Sequence, residues 1–145
     1  MNPLALERQV CFALAVAARS VIGVYRPVLD RLGLTHPQYL VMLALWEQSP
    51  LSISDVARLL QLDLATASPL VKRLEAQGFV DRRRDPADER TVRVTLTDTG
   101  RALRTEALSV PGTIMAQLDL TIEDVQTLHS ALTPLITRSR AALTA

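Results

Sequence analysis

The sequence predicts a mainly α-helical fold carrying one small antiparallel β hairpin. Apolar residues recur at helical spacing along most of the 145 residues, and only the run Val92, Val94, Leu96 alternates strictly with polar neighbours. The hydrophobic share is 48% with 3% aromatic, so the core must be built from Leu, Val, Ile and Ala, which suits helices.

Leu4 to Leu32 reads as one long helix with a wide apolar stripe that includes Val10, Cys11, Leu14, Val21, Tyr25 and Leu29. Pro27 can bend it, and Gly33 ends it. Thr35 caps a second helix with Pro37 in its first turn and Tyr39, Leu40, Leu43, Ala44 and Trp46 on its apolar face; Pro50 closes it. Ser52 or Ser54 then caps a short helix carrying Val56, Leu59 and Leu60, and Gln61-Leu62-Asp63 is a polar turn. In the next helix Ala67, Leu70, Val71 and Leu74 follow the i, i+3, i+4, i+7 rule and face a core, which turns Ala65, Pro69, Lys72 and Ala76 outward. A proline is tolerated in a first turn, so the helix is placed to start near Thr66; Gly78 stops it. Phe79 to Arg84 leads to the turn Asp85-Pro86 and the alternating strand, a hairpin with one wet face. Two helices, a tight turn and a charged hairpin over 51–100 make a winged helix-turn-helix. Thr97 or Thr99 caps a fifth helix from about Asp98 to Ser109, interrupted at Pro111-Gly112 and resuming from Thr113 to Leu118. Thr121, with Asp124 three residues on, opens a last helix through Ile136.

The outer face of the second helix of this motif suits a major groove. Its small residues allow close approach, while Thr66, Ser68, Lys72 and Arg73, around Pro69, offer donors to base edges and phosphates. From Lys72 to Arg93 there are seven basic and five acidic residues, with Arg82, Arg84 and Arg90 crowded on the hairpin. An arginine at such a tip can enter a minor groove, and Asp88 is placed to hold the Arg90 guanidinium. A charge run alone is more often a solvated salt-bridge cluster; directly behind a helix-turn-helix it points to double-stranded DNA. The net charge of +1 excludes a polybasic coating protein but leaves one basic face free to bind DNA. At this length 1–145 is one domain, with helices at 1–34 and 110–145 that carry more apolar surface than they can bury alone and so should pair with a second copy. No run of about 18 uninterrupted apolar residues suggests a membrane span, and a cytoplasmic protein is expected. No Ser/His/Asp set or metal-ligand spacing appears, so neither an enzyme nor a cofactor site is predicted. A single cysteine forms no internal disulfide and is either packing or a reactive thiol.

The run from Asp63 through Asp88-Glu89-Arg90 to Leu96-Thr97-Asp98-Thr99-Gly100 resembles the MarR family of bacterial transcriptional regulators, whose wing carries D-x-R followed by a hydrophobic strand and L-T-x-x-G. That resemblance implies a homodimer that interleaves its terminal helices and binds a pseudo-palindromic operator, and a repressor is expected. Gln9-Val10-Cys11-Phe12-Ala13-Leu14, Tyr25-Arg26-Pro27-Val28-Leu29-Asp30 and Thr35-His36-Pro37-Gln38-Tyr39-Leu40 are similar to segments of the organic hydroperoxide resistance regulators. The resemblance makes Cys11 the thiol oxidised by an organic hydroperoxide and Tyr25 a residue that reaches it across the dimer. The chain departs from that pattern in having Ala15 and His36 where tyrosines are usual. An imidazolium at His36 could compensate by favouring the thiolate. With no second cysteine, oxidised Cys11 must pair with a small thiol, react with the backbone or overoxidise. The competing readings are a MarR regulator answering a small aromatic or phenolic ligand and, from a different class, a one-cysteine peroxidase.

Overall fold

The structure is a computed structural model describing residues 2–145. Its elements run α1 (Val10–Asp30), α2 (His36–Glu47), β1 (Leu51–Ser52), α3 (Ile53–Leu60), α4 (Leu64–Ala76), β2 (Val80–Asp85), β3 (Asp88–Leu96), α5 (Asp98–Ala107), α6 (Val110–Gln117) and α7 (Ile122–Leu143). The mainly helical fold with a small antiparallel sheet is as the sequence predicts. The chain packs as two units, one ending at Val110 and the other running Pro111–Ala145.

In the first unit, α2, α3 and α4 enclose a core closed on one side by the sheet. Val41, Met42, Leu45, Val56, Val71, Leu74, Val80 and Val94 are almost fully buried, each such side chain contributing about 1.5–3 kcal/mol relative to exposure. The caps come from the sequence directly. Thr35 and Ser52 each close a capping box, with Gln38 and Asp55 respectively, and Asp63 accepts from the Thr66 N–H at 2.8 Å. Gln61 takes the left-handed conformation at the turn (φ 57°). Gly78 does so at φ 84°, and the Phe79 N–H bonds back to the Leu74 carbonyl, so α4 ends in a Schellman motif.

Several expectations need correction. The first helix starts at Val10 rather than Leu4, because Gln9 Nε2 donates to the Pro3 and Ala5 carbonyls and folds the preceding residues back as a 3-10 turn. Residues Leu40, Leu43 and Trp46 do not form the buried face of α2: the buried set is Gln38, Tyr39, Val41, Met42 and Leu45, since an all-apolar helix leaves its phase to its neighbours. In α3 the core takes Val56 and Ala57, while Leu59 stays exposed. Asp63 fixes the start of α4 at Leu64, so Pro69 lies in the helix interior and the Ala65 carbonyl loses its helical donor. The hairpin gains a third strand. The two residues of β1 pair antiparallel with β3, Leu51 opposite Val94, giving the order β1-β3-β2. Pro111 and Gly112 lie within α6 rather than interrupting it, Pro111 being its second residue.

The L-T-x-x-G run is a structural clamp. Thr97 Oγ1 donates to the Gly78 carbonyl at 2.6 Å and accepts from the Gly100 N–H at 3.0 Å, joining the end of α4 to the start of α5. Gly100 presses so closely on the Phe79 carbonyl that a Cβ there would collide with it. Trp46 Nε1 donates to the Gly100 carbonyl at 2.9 Å, fastening α2 to the same point.

α1 is long and apolar enough by length and composition to cross a bilayer, with a mean hydropathy of 1.4, though it carries Arg19 and Arg26. It buries only Val28 and Leu29. In the second unit, α7 opens with a capping box of Thr121 and Asp124 and buries none of its residues, leaving Ile122, Val125, Leu128, Leu135 and Ile136 exposed.

Candidate nucleic-acid interface and thiol region

α4 turns Ala65, Thr66, Pro69, Lys72, Arg73 and Ala76 to solvent and half-exposes Ser68, while Ala67, Leu70, Val71 and Leu74 hold it against the core. This is the predicted outward face. Asp63 caps the helix, and hydrogen bonds from Thr66 keep its carboxyl below the usual range. Beside that face the wing and the starts of α3 and α4 enclose a recess of about 250 Å³, lined by Ser54, Ser68, Arg90 and Thr91 among others. Arg90 and Ser68, 22 positions apart, thus share one surface.

The wing arginines divide by what holds them. Arg82 is tied down: Glu75 on α4 accepts from its backbone N–H and from its Nε, both at 3.0 Å. The same two bonds hold the Glu75 carboxyl below the usual range. Arg84 donates to the Glu89 carbonyl at 2.7 Å. Arg93 pairs with Asp85 at 2.8 Å, bridging the two strands near the turn. The expected grip of Asp88 on the Arg90 guanidinium is not formed. Asp88 instead accepts from the Arg90 backbone N–H at 3.1 Å and from the Thr91 hydroxyl at 3.2 Å. It shapes the strand that carries the arginine and, among the described residues, no acidic side chain pairs with that guanidinium.

Tyr25, His36 and Tyr39 form an aromatic cluster on α1 and α2, with Tyr25 and His36 edge-to-face at 5.0 Å between centroids and Tyr25 and Tyr39 at 6.0 Å. Burial raises both tyrosine pKa values and lowers that of His36. The imidazole is therefore held toward its neutral form, against the expected imidazolium. Cys11, the second residue of α1, is exposed. Fourteen residues of helix separate it from Tyr25, about 21 Å of rise, so the chain brings Tyr25 and His36 together but leaves Cys11 apart from them. Tyr39, read from sequence as core, joins the cluster; its i+3 spacing from His36 was the available signal. Nothing in the sequence singled out Glu75, whose partner Arg82 lies across the turn that ends α4, or Gln77, whose partners are distant along the chain. Ile22, Arg26, Asp30 and His36 with their neighbours line a separate recess of about 200 Å³.

A recognition helix flanked by an arginine-bearing wing defines a DNA-binding winged-helix protein. The chain belongs to the MarR family of transcriptional regulators. The MarR family model matches residues 34–92, and the organic hydroperoxide resistance transcriptional regulator of Bacillus subtilis is 41% identical over 131 residues, 90% of this chain and 89% of that protein. Among solved structures, reduced AbfR bound to DNA has a TM-score of 0.78 at 30% identity, covering 92% of this chain and 93% of that one; AbfR is from Staphylococcus epidermidis. BpsR of Bordetella bronchiseptica, whose DNA binding is regulated by 6-hydroxynicotinic acid, has a TM-score of 0.82 at 29% identity, covering 92% and 97%. These relatives are regulators rather than enzymes, as the sequence predicts for this chain.

Proposed function

We propose that the protein is a homodimeric repressor that leaves a pseudo-palindromic operator when Cys11 is oxidised by an organic hydroperoxide. The observation that carries this reading is a separation. A cluster of half-buried Tyr25 and His36 on buried Tyr39 has no thiol from its own chain, while Cys11 stands exposed at the start of the helix that carries Tyr25. An antiparallel second copy of α1 brings each thiol to the other's cluster. The exposed apolar side chains of α1 and α7 supply the surface for that pairing, so residues 1–34 and 110–145 are the dimerisation helices and 51–100 the DNA-binding lobe. Arg90 enters the minor groove, Thr66, Ser68, Pro69, Lys72 and Arg73 meet the major groove, and Arg84 lies over the backbone. Arg82 and Asp88 act by fixing the wing. Such a protein works in the cytoplasm, where its operator is.

In the sensing step the Cys11 thiolate attacks a peroxide oxygen. The S–O bond forms as the O–O bond breaks, and the departing alkoxide takes up a proton, so the thiol becomes a sulfenic acid and the hydroperoxide an alcohol. The neutral phenols of Tyr25 and Tyr39 and the neutral imidazole of His36 are polar partners for that sulfur. Of the fates open to a chain with one cysteine, this reading takes condensation of the sulfenic acid with a small thiol, giving a mixed disulfide and water. The added group does not fit the aromatic cluster and forces the helices apart.

A second reading rests on the recess beside His36, where Arg26 could pair with the carboxylate of a small aromatic acid, the ligand class that BpsR answers. Gel shifts with cumene hydroperoxide separate the two. Loss of operator binding in the wild type but not in Cys11→Ser supports thiol sensing; equal binding by both before and after treatment rejects it in favour of a ligand.

A further inference from the structure

The last turn of α4 is tied to the corner between α1 and α2 by two side-chain amides laid end to end. Gln77, the C-cap of α4, donates from Nε2 to the Gly33 carbonyl at 2.6 Å and accepts at Oε1 from Gln38 Nε2 at 3.0 Å. Gln38 Oε1 in turn accepts from the Thr35 N–H at 2.9 Å. Gln38 is 4% exposed, among the described residues the one polar residue buried in the core, and it lies between Pro37 and Tyr39 on the turn of α2 that carries His36. On the opposite side of the same α4 turn, Glu75 holds the backbone of the wing through Arg82.

We propose that Gln77 is a positioning residue that passes the state of the Tyr25–His36–Tyr39 cluster to the recognition helix. The inference rests on the thiol-sensing reading and names the route by which that site governs DNA. Each amide is engaged at both ends, its nitrogen donating and its oxygen accepting, so each needs its own polarity. A carboxylate at 77 would still accept from Gln38 but would set a negative oxygen against the Gly33 carbonyl, and an apolar side chain would break both bonds. A shift of the first turn of α2, when a bulky group is attached to the partner's thiol, moves Gln38 and Gly33 together. Gln77 then carries the end of α4 with them, while Glu75 takes the wing along. Because Gln77 is exposed, its replacement leaves the apolar core intact.

The test uses the purified full-length protein and the tightest duplex recovered from a random-sequence selection. Operator Kd is measured before and after cumene hydroperoxide for wild type, Gln77→Met, Gln77→Glu and Cys11→Ser, with intact mass reporting oxidation of Cys11 and thermal melting reporting stability. We expect both Gln77 variants to bind within about threefold of wild type when reduced, to oxidise equally, and to lose about tenfold of the peroxide-induced change in Kd. An unchanged ratio of oxidised to reduced Kd in both variants, beside a responsive wild type, overturns the inference and leaves the sensing reading intact; a lower melting temperature with that ratio unchanged assigns Gln77 a structural role only. Slower oxidation of Cys11 in the variants also overturns it, since Gln77 would then act on the thiol rather than after it. A wild type that does not respond to peroxide fails the sensing reading and the inference with it.

Discussion

Glu75 in the last turn of α4 grips Arg82 at the base of the wing twice, through the arginine's backbone N–H and its Nε, each at 3.0 Å. The contact joins α4 to the wing, so their relative placement is set by a titratable group. The bonds depress the Glu75 pKa, and a depressed carboxylate contributes stability that is present above its unfolded value and lost as pH falls through the folded one. The pair is partly exposed, so the global effect is small. Glu75→Ala is expected to change the melting temperature little while weakening operator binding severalfold, because the wing loses its register to the helix. Fluorescence anisotropy beside a melting curve checks both.

Arg90 carries the largest expected single loss of DNA affinity. Its guanidinium is exposed and free of acidic partners among the described residues, and it shares a recess with Ser68 of the recognition helix. Arg90→Ala should weaken binding about tenfold or more, and each arginine removed from a phosphate-rich groove should reduce the slope of log K against log salt by about 1. Unchanged affinity and slope in anisotropy titrations at three salt concentrations would remove Arg90 from the interface.

Gly100 is required for steric reasons. A Cβ at this position meets the Phe79 carbonyl, and the residue also receives the Trp46 hydrogen bond. Gly100→Ala is expected to cost at least about 2 kcal/mol, since backbone and not a flexible side chain must give way. Urea unfolding monitored by the single tryptophan reads this directly.

His36 should make the fold acid-sensitive at pH values below that of an ordinary imidazole. Burial lowers its pKa. The unfolded chain therefore binds a proton first as pH falls, and stability drops from the ordinary imidazole value down to the folded one and then levels off. His36→Gln should flatten the melting temperature between pH 7 and the onset of carboxylate protonation. A wild-type profile that is flat there would contradict the buried imidazole.

Much of this site was legible in the sequence because its signals are local. Ser52, Thr97 and Thr121 cap the helices within three residues of their partners, and Ala67, Leu70, Val71 and Leu74 fix which face of α4 is free. The rest depends on distant partners or on the local geometry that packing imposes. The two residues of β1 have no pattern of their own and become a strand only by pairing with Val94 and Arg93. Asp88 could as well have gripped the Arg90 side chain as its backbone, and the geometry of the turn decides for the backbone. The buried face of α2 is not legible because nearly every residue there is apolar, so phase is set by packing rather than composition. Gln77 finds its partners 39 and 44 positions away.

Sedimentation velocity of the protein titrated onto the selected duplex tests the central claim most directly. The account predicts a two-copy protein in solution that adds to the duplex as one unit, with both wings engaged. A stable single-copy species, or a protein that leaves every duplex sedimenting free, would contradict it.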